Sequence, residues 1–203
     1  MSGYRLASFV YDALIEPLLR GAREAGSSLA PPRPGMLVLD VGCGTASHLA
    51  RYAEGGASVV GVDRSQAMLH RAARRLGGRV IEGDARRLPL AEARFDLVVV
   101  SMVLHELSRP AGLALLSEAQ RVARPDGKLL VIDYLPVRAS GWRSSLAGRL
   151  AGSIEWVAGG DHRRNYLSFT SSGGVPELAA GLGMAVAGSA PAAAGVIGAY
   201  LVR

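Results

Sequence analysis

Two glycines and two carboxylates are spaced as in a nucleoside-binding site. Gly42 and Gly44 follow an apolar run that contains Asp40, and a helical pattern begins just after them. Glycine has no Cβ, so the chain can turn sharply there and bring its backbone close to a ligand. Asp63 ends the next apolar run, at about the 20-residue separation expected of a carboxylate that binds ribose hydroxyls. The spacing therefore predicts a bound nucleoside.

The position of Asp40 distinguishes between two classes of nucleoside ligand. It stands two residues before the first glycine, where a carboxylate would repel the diphosphate that a dinucleotide brings to such a turn. S-adenosylmethionine has no phosphate, and its ammonium and sulfonium groups are attracted by a carboxylate. Asp40 therefore favours S-adenosylmethionine, while a nucleotide-dependent oxidoreductase that uses the same glycine loop remains the alternative.

These motifs resemble those of the class I S-adenosylmethionine-dependent methyltransferases and follow one another in the same order. The resemblance extends over nearly the whole of residues 36–133. The segment Asp40–Ala46 is similar to the family's Asp-x-Gly-x-Gly cofactor loop, and Asp63 matches its ribose-binding acid. Four later segments also resemble the family: Arg64–Leu69 at the start of the helix beside the adenine, Gly83–Ala85 with Leu88 and Pro89 in the adenine loop, Phe95–Ser101 as the fourth strand, and Arg121–Leu129 as a helix, turn and fifth strand. Many relatives carry glycine where this chain has Ala46 and Asp126, and the methyl group of Ala46 narrows the loop slightly without blocking a ligand.

The resemblance implies S-adenosylmethionine as the cofactor and assigns most of its binding site. Asp84 is expected to accept a hydrogen bond from the exocyclic amine of the adenine, although Asp63 or Asp84 taken alone would more commonly cap a helix or turn. Met68 fits equally well in the core or in the wall of the site. The expected cofactor residues are Asp40, Gly42, Gly44, Asp63, Arg64, Met68, Asp84, Ala85, Ser101 and Tyr11. No metal is expected, and the single Cys43 can form neither an internal disulfide nor a multi-cysteine zinc site.

The residues after the fourth strand narrow the choice of methyl acceptor. An adenine- or glutamine-modifying relative would carry Asn/Asp-Pro-Pro-Tyr where this chain reads Ser101-Met102-Val103-Leu104-His105. Methylation at C5 of a pyrimidine would use a cysteine nucleophile. The single cysteine, Cys43, lies in the cofactor loop and so is not available for this role. Nucleic-acid acceptors are therefore disfavoured, and an RNA-modifying enzyme remains open only through the net charge.

The short helix Val103–Leu107 resembles the one found after the fourth strand in quinone-type and phospholipid-type methyltransferases. This likeness implies a small, hydrophobic acceptor that is quinone- or lipid-like. His105 is expected near the transferred methyl group, where it would orient or deprotonate the acceptor at neutral pH. A packed, hydrogen-bonded histidine at a helix start is the equal alternative.

The elements that must position these residues alternate between short apolar runs and helical patterns. Five runs, at Met36–Val41, Ser58–Val62, Arg79–Glu82, Phe95–Ser101 and Lys128–Asp133, are separated by helices at about Ser47–Glu54, Ser65–Leu76 and Pro110–Ala123. Two more short strands fall within the uncharged stretch Met184–Val202. Such alternation is typical of βαβ units. We expect an α/β fold, a doubly wound, mostly parallel seven-stranded sheet of the Rossmann-like methyltransferase type, with an antiparallel C-terminal hairpin strand.

The 203 residues fit one domain. We expect an N-terminal helical cap over 1–30, the cofactor core over 36–133, an insertion or lid over 134–170, and a C-terminal helix and hairpin over 171–203. Tyr11, on the leading helix Arg5–Ala25, is expected either to pack in the core or to close over the cofactor. Within the insertion, a helix at 140–158 carries an apolar face beside arginines, and a Gly-rich, charged stretch over 159–166 includes His162, Asn165 and Tyr166, which contact the acceptor or lie on the surface.

Composition agrees with a folded protein, because 49% of the residues are hydrophobic and 20% charged. Charged residues interrupt the N-terminal segment, so a signal peptide is not expected, and one cysteine fits a reducing compartment. We therefore expect a cytoplasmic protein, with the 140–158 helix packing on its own domain as a lid or lying on an anionic membrane. A module that binds S-adenosylmethionine without turnover is the third interpretation.

Overall fold

The structure, a computed structural model, describes residues 19–136 and 160–203. Its first helix, α1, occupies 19–29 and so continues beyond the predicted end at Ala25. The helix stops before Pro31 and Pro32, because proline lacks the backbone N–H and its ring disfavours a helical conformation in the preceding residue. Tyr11 and the helix expected at 140–158 lie outside the described residues.

Seven strands form one sheet in the order β3-β2-β1-β4-β5-β7-β6. The strands are β1 (Leu37–Val41), β2 (Ser58–Asp63), β3 (Val80–Glu82), β4 (Phe95–Ser101), β5 (Ala123–Tyr134), β6 (Val186–Ala192) and β7 (Ile197–Val202). Strands β1 to β5 pair in parallel, and β7 runs antiparallel to both β5 and β6. The predicted mostly parallel sheet with a reversed strand in the closing hairpin is confirmed.

Helices connect the parallel strands as the alternating pattern predicts. They are α2 (Ser47–Glu54), α3 (Gln66–Leu76), a short 3₁₀ helix (Leu104–Glu106), α4 (Arg109–Val122), α5 (Gly160–Ser171) and α6 (Gly174–Ala180). Helices α2 and α3 pack against β1, β2 and β3, whereas α4 and α6 pack against β5. No helix within 19–136 and 160–203 is both long and apolar enough to cross a membrane.

Strand β5 and helix α5 also differ from the sequence expectation. Strand β5 begins at Ala123 rather than Lys128, because Ala123 pairs with Phe95 across an irregular register. Helix α5 occupies much of the Gly-rich, charged stretch to which the sequence analysis assigned no element. Its buried residues, Tyr166, Phe169 and Thr170, are three and four positions apart and form one helical face. Tertiary packing of that face, rather than local helix propensity, stabilises the helix.

The centre of the sheet supplies the core. Leu39, Val98 and Leu130, from three adjacent strands, are fully buried, as expected for parallel strands covered on both faces. The chain leaves β1 toward β2 on one side, while β4 lies on the other side of β1. In open α/β sheets, the crevice at such a reversal, outside the carboxyl ends of the strands, is where ligands bind.

Candidate functional site

A cavity of about 800 Å³ opens at the carboxyl ends of β1, β2 and β4. It brings together nine of the residues that the sequence predicts for the cofactor. They are Asp40, Gly42, Gly44, Asp63, Arg64, Met68, Asp84, Ala85 and Ser101. Met68 is 39% exposed, so its side chain forms part of the cavity wall and not of the core.

The glycine loop turns through backbone conformations that favour glycine. Gly42 has φ +74°, and a Cβ built there would lie 2.5 Å from Cγ2 of Val103. Gly44 has φ +54°, and in the described part of the chain no atom comes within 4 Å of the position of its Cβ. Ala46 also adopts a positive φ, 58°, at the start of α2. The loop therefore leaves open space over Gly44, where a ligand can approach the backbone.

Asp63 is held rigidly at the end of β2. One of its oxygens accepts a hydrogen bond from the Gly44 backbone N–H, and the other from that of Ser65, both at 2.8 Å. Each carboxylate oxygen accepts more than one hydrogen bond, so both retain capacity for hydroxyl groups. Asp63 thus stabilises the turn before α3, as a structural cap would, and it also lines the cavity.

Asp40 is the most deeply buried carboxylate that lines the cavity, with 2% of its surface exposed. Its Oδ1 has no hydrogen-bond partner among the described residues. Burial raises the pKa of Asp40 to about 7, and Asp63 adds to this rise, while Arg23 opposes it. A buried polar atom without a partner is costly, so this oxygen suits a ligand that brings a hydrogen-bond donor or a positive charge.

His48, in the first turn of α2, is a cavity residue that the sequence analysis missed. It is 4% exposed, and neither ring nitrogen has a hydrogen-bond partner in the ranges that the structure describes. Burial lowers the pKa of His48 to about 3, and Arg23 and Arg51 lower it further. The imidazole is therefore neutral, with one donor and one acceptor facing the same cavity as Asp40. Its place four residues after Gly44 was the available sequence signal.

Asp84 lines the cavity as expected, but its carboxylate is already paired with Arg86. The Arg86 guanidinium donates to both carboxylate oxygens, at 2.7 to 3.2 Å, and the Arg86 backbone N–H also donates to Oδ1 at 2.9 Å. These hydrogen bonds lower the pKa of Asp84 to about 2. Arg86 also lines the cavity, so any ligand amine that reaches Asp84 shares it with a cation.

The Cys43 side chain is buried within the glycine loop. It lies beside Gly61, where a Cβ would come 2.7 Å from the Cys43 sulfur. Burial raises the pKa of the Cys43 thiol far above its usual range, and Asp40 and Asp63 raise it further. The thiolate, which is the nucleophilic form, is therefore not populated near neutral pH.

His105 is 3% exposed and is not among the described residues that line the cavity, although Val103 and Glu106 on either side are. Its Nδ1 lies 2.7 Å from Oδ1 of Asp133, a fully buried carboxylate at the end of β5. Asp133 also accepts hydrogen bonds from the backbone N–H groups of Leu104 and Tyr134. The structure thus contains the packed, hydrogen-bonded histidine of the second interpretation, and it identifies Asp133 as the partner that orients the ring.

Helix α5 packs against this histidine. The ring centroids of His162 and Tyr166 lie 5.7 and 6.4 Å from that of His105, nearly perpendicular to it. Asn165 donates a hydrogen bond of 2.7 Å to the backbone carbonyl of Glu106. The insertion residues singled out from the sequence therefore meet the segment after β4 directly behind the cavity wall.

Comparison with known proteins agrees with this geometry. The family model described as a methyltransferase domain matches residues 39–131. Demethylmenaquinone methyltransferase of Parafrankia sp. is 36% identical over 152 residues, 64% of this chain and 58% of that protein. The protein of the same name from Beutenbergia cavernae is 43% identical over 103 residues, 50% of this chain and 42% of that one. The chain thus spans about half the length of the curated relatives it matches.

Solved structures share the fold. A SAM-dependent methyltransferase from Aquifex aeolicus matches 89% of this chain and 88% of its own, with a TM-score of 0.59 and 22% identity. At that identity the likeness supports the architecture alone. The family match runs from within β1 to within β5 and so includes the carboxyl ends of β1, β2 and β4, which form the cavity.

Proposed function

We propose that this chain, whose residues 39–131 match the methyltransferase domain family model, transfers a methyl group from S-adenosylmethionine to a small, hydrophobic, quinone-like acceptor. One observation carries the proposal: Asp40, Asp63 and Asp84 line a single cavity beside a glycine loop. The curated relatives named as demethylmenaquinone methyltransferases support the acceptor class.

The residues of the cavity fit the cofactor at both ends. Asp63 would hold the ribose hydroxyls, since both of its oxygens are fixed by backbone N–H groups and retain acceptor capacity. Asp84 would hold the exocyclic amine of the adenine, with Arg86 shifting aside or sharing the carboxylate. Met68 and Ala85 would pack against the base, and Gly44 leaves space for the backbone to approach the ligand.

The buried end of the cavity fits the amino-acid part of the cofactor. Asp40 Oδ1 and the two nitrogens of His48 have no partners among the described residues, and the cofactor's ammonium and carboxylate groups supply both a donor and acceptors. A carboxylate beside the ammonium group compensates the cost of burying both. Arg23, from α1, lines the same end and attracts a carboxylate.

The cofactor, when bound, supplies a methyl group on a sulfonium that leaves as a neutral thioether. The protein therefore needs mainly to position the acceptor and exclude water, and positioning supplies about 7 to 11 kcal/mol of the barrier reduction. Met102, Val103 and Leu107 form an apolar wall beside the cavity, which suits a ring system. Behind this wall, Asp133 orients His105, which is buried and is not among the described residues that line the cavity.

The proposal is tested with S-adenosylhomocysteine, the demethylated cofactor, by isothermal titration calorimetry on the full chain. We expect one binding site, and Asp63→Ala should weaken binding at least about tenfold because it removes two charged acceptors. Asp126→Ala, an exposed carboxylate outside the cavity lining, is the matched control and should bind normally. Absence of binding to the wild-type chain at millimolar ligand would sink the proposal.

The acceptor class is tested separately. The chain is incubated with methyl-labelled S-adenosylmethionine and a demethylated naphthoquinol, and the labelled quinone is measured. Label in the quinone is the expected result. Cofactor binding without label in this probe or in any fraction of a lipid and metabolite extract would favour a non-catalytic binding module. NADH binding in place of S-adenosylhomocysteine would favour the oxidoreductase, which Asp40 makes electrostatically unfavourable.

A further inference from the structure

Three side chains that commonly bind metals meet beside the cavity, whose wall includes one of them, Glu106. His105, Glu106 and His162 each present a ligand atom, and these atoms all lie within 4.8 Å of one another. The residues come from two separate parts of the chain, the 3₁₀ helix after β4 and helix α5. We propose that this histidine–glutamate cluster binds a divalent transition-metal ion.

Asp133 gives His105 the geometry of a metal ligand. Its carboxylate is fully buried and bonds Nδ1 of His105, so Nε2 is the nitrogen that His105 offers to the cluster. A carboxylate on the far nitrogen of a ligating histidine fixes the tautomer and the ring orientation, and it increases the basicity of the ligand. Backbone N–H groups of Leu104 and Tyr134 hold Asp133 in turn. This pairing is independent of the proximity of the three ligand atoms.

The two segments that carry the cluster are fixed to each other. Asn165 bonds the Glu106 carbonyl at 2.7 Å, and the rings of Tyr134 and Tyr166 pack 4.8 Å apart, next to His105. Ligand atoms on a tetrahedral zinc lie about 3.3 Å apart, given bonds of about 2.0 Å. The exposed Glu106 and half-buried His162 side chains can supply the remaining approach by changes of rotamer.

Two imidazoles and one carboxylate select a particular class of metal. This donor set suits Zn²⁺, Fe²⁺ or Co²⁺, whereas Mg²⁺ and Ca²⁺ prefer an all-oxygen set. Three protein ligands also leave coordination positions open, as in catalytic rather than structural sites. Glu106 lines the cofactor cavity, so an open position would face the acceptor and hold one of its oxygen atoms. That role rests on the proposed function, but metal binding itself does not.

Metal binding is tested on the full chain after treatment with a chelator, by calorimetry with Zn²⁺ and by the visible absorption of added Co²⁺. We expect one equivalent of Zn²⁺ per chain, a Co²⁺ spectrum with nitrogen ligands, and no Mg²⁺ binding at this site. His162→Ala should weaken Zn²⁺ binding at least about tenfold. Asp133→Asn should weaken it about 10- to 100-fold, as is typical for the partner of a metal ligand.

His70→Ala is the matched control, because His70 is an exposed histidine on α3 away from the cluster. Circular dichroism shows whether each variant is folded. If the wild-type chain binds no stoichiometric Zn²⁺, or if His162→Ala and His70→Ala bind it equally, the metal site is wrong even when cofactor binding is normal. Zn²⁺ binding without cofactor binding would instead support the metal site and contradict the proposed function.

Discussion

Asp40 is a cavity residue whose charge changes near neutral pH. Its ordinary pKa of 3.8 is raised to about 7, mainly by burial and also by Asp63, against the attraction of Arg23. In the unliganded chain the native state therefore holds this proton more tightly than the unfolded state does. Between about pH 4 and pH 7, Asp40 thus lowers the free energy of unfolding as pH rises.

This shift predicts how the pH affects cofactor binding. An ammonium group beside Asp40 favours the ionised carboxylate, so binding should release a proton near pH 7 and the affinity should rise from pH 6 to pH 8. Calorimetry of S-adenosylhomocysteine in buffers of different ionisation enthalpy measures the proton released. In Asp40→Asn the part of the pH dependence due to this residue should disappear. An unchanged proton release in that variant would show that Asp40 is not the group involved.

At the scale of elements, the two glycines of the loop between β1 and α2 have different roles. Gly42 is needed for packing, and Gly44 for ligand binding. A methyl group at residue 42 would collide with Val103, whereas one at residue 44 would enter open space. Both residues have a positive φ, which costs about 1 to 2 kcal/mol for alanine. We therefore expect Gly42→Ala to lose about 2 kcal/mol or more of unfolding free energy, and Gly44→Ala to lose about 1 kcal/mol but to bind S-adenosylhomocysteine much more weakly.

Urea unfolding and calorimetry measure the two effects. Val103→Ala should restore part of the stability of Gly42→Ala, because it removes the atom that collides, and it should do nothing for Gly44→Ala. Equal losses of stability and of affinity in both glycine variants would contradict the assignment of Gly44 to the ligand cavity.

At the scale of the whole molecule, the cavity joins three strands that are far apart in sequence. A ligand that binds only the folded state stabilises it by about 2.7 kcal/mol at 100 times its Kd. For a chain of this length that corresponds to a Tm increase of roughly 5 to 11 °C. We expect S-adenosylhomocysteine to produce such a shift in the wild-type chain and a much smaller one, at the same concentration, in Asp63→Ala. Differential scanning calorimetry measures it, and an equal shift in both proteins would contradict the role of Asp63.

Local patterns were sufficient for the sheet and for the first part of the site. Strand, turn and helix at residues 36–54 follow from apolar runs, glycines and helical spacing, all of which act within a few residues of one another. Parallel strands bring their carboxyl ends to one edge, so Asp40 and Asp63 could be placed in one site before the structure was known. The order of the strands and the reversed β7 complete that picture.

Tertiary structure decided the features that depend on distant partners and on burial. The pairing of His105 with Asp133 joins residues 28 positions apart, and that of Glu106 with Asn165 joins residues 59 apart; no local pattern encodes either contact. Helix α5 forms because its buried face packs against the rest of the domain. Its glycine and its charged residues hide this face from a local reading of the sequence. The displaced pKa values of Asp40 and His48 arise from desolvation by the packed chain. Residue types and spacing thus determined which chemistry is present, while packing determined its electrostatics and its neighbours.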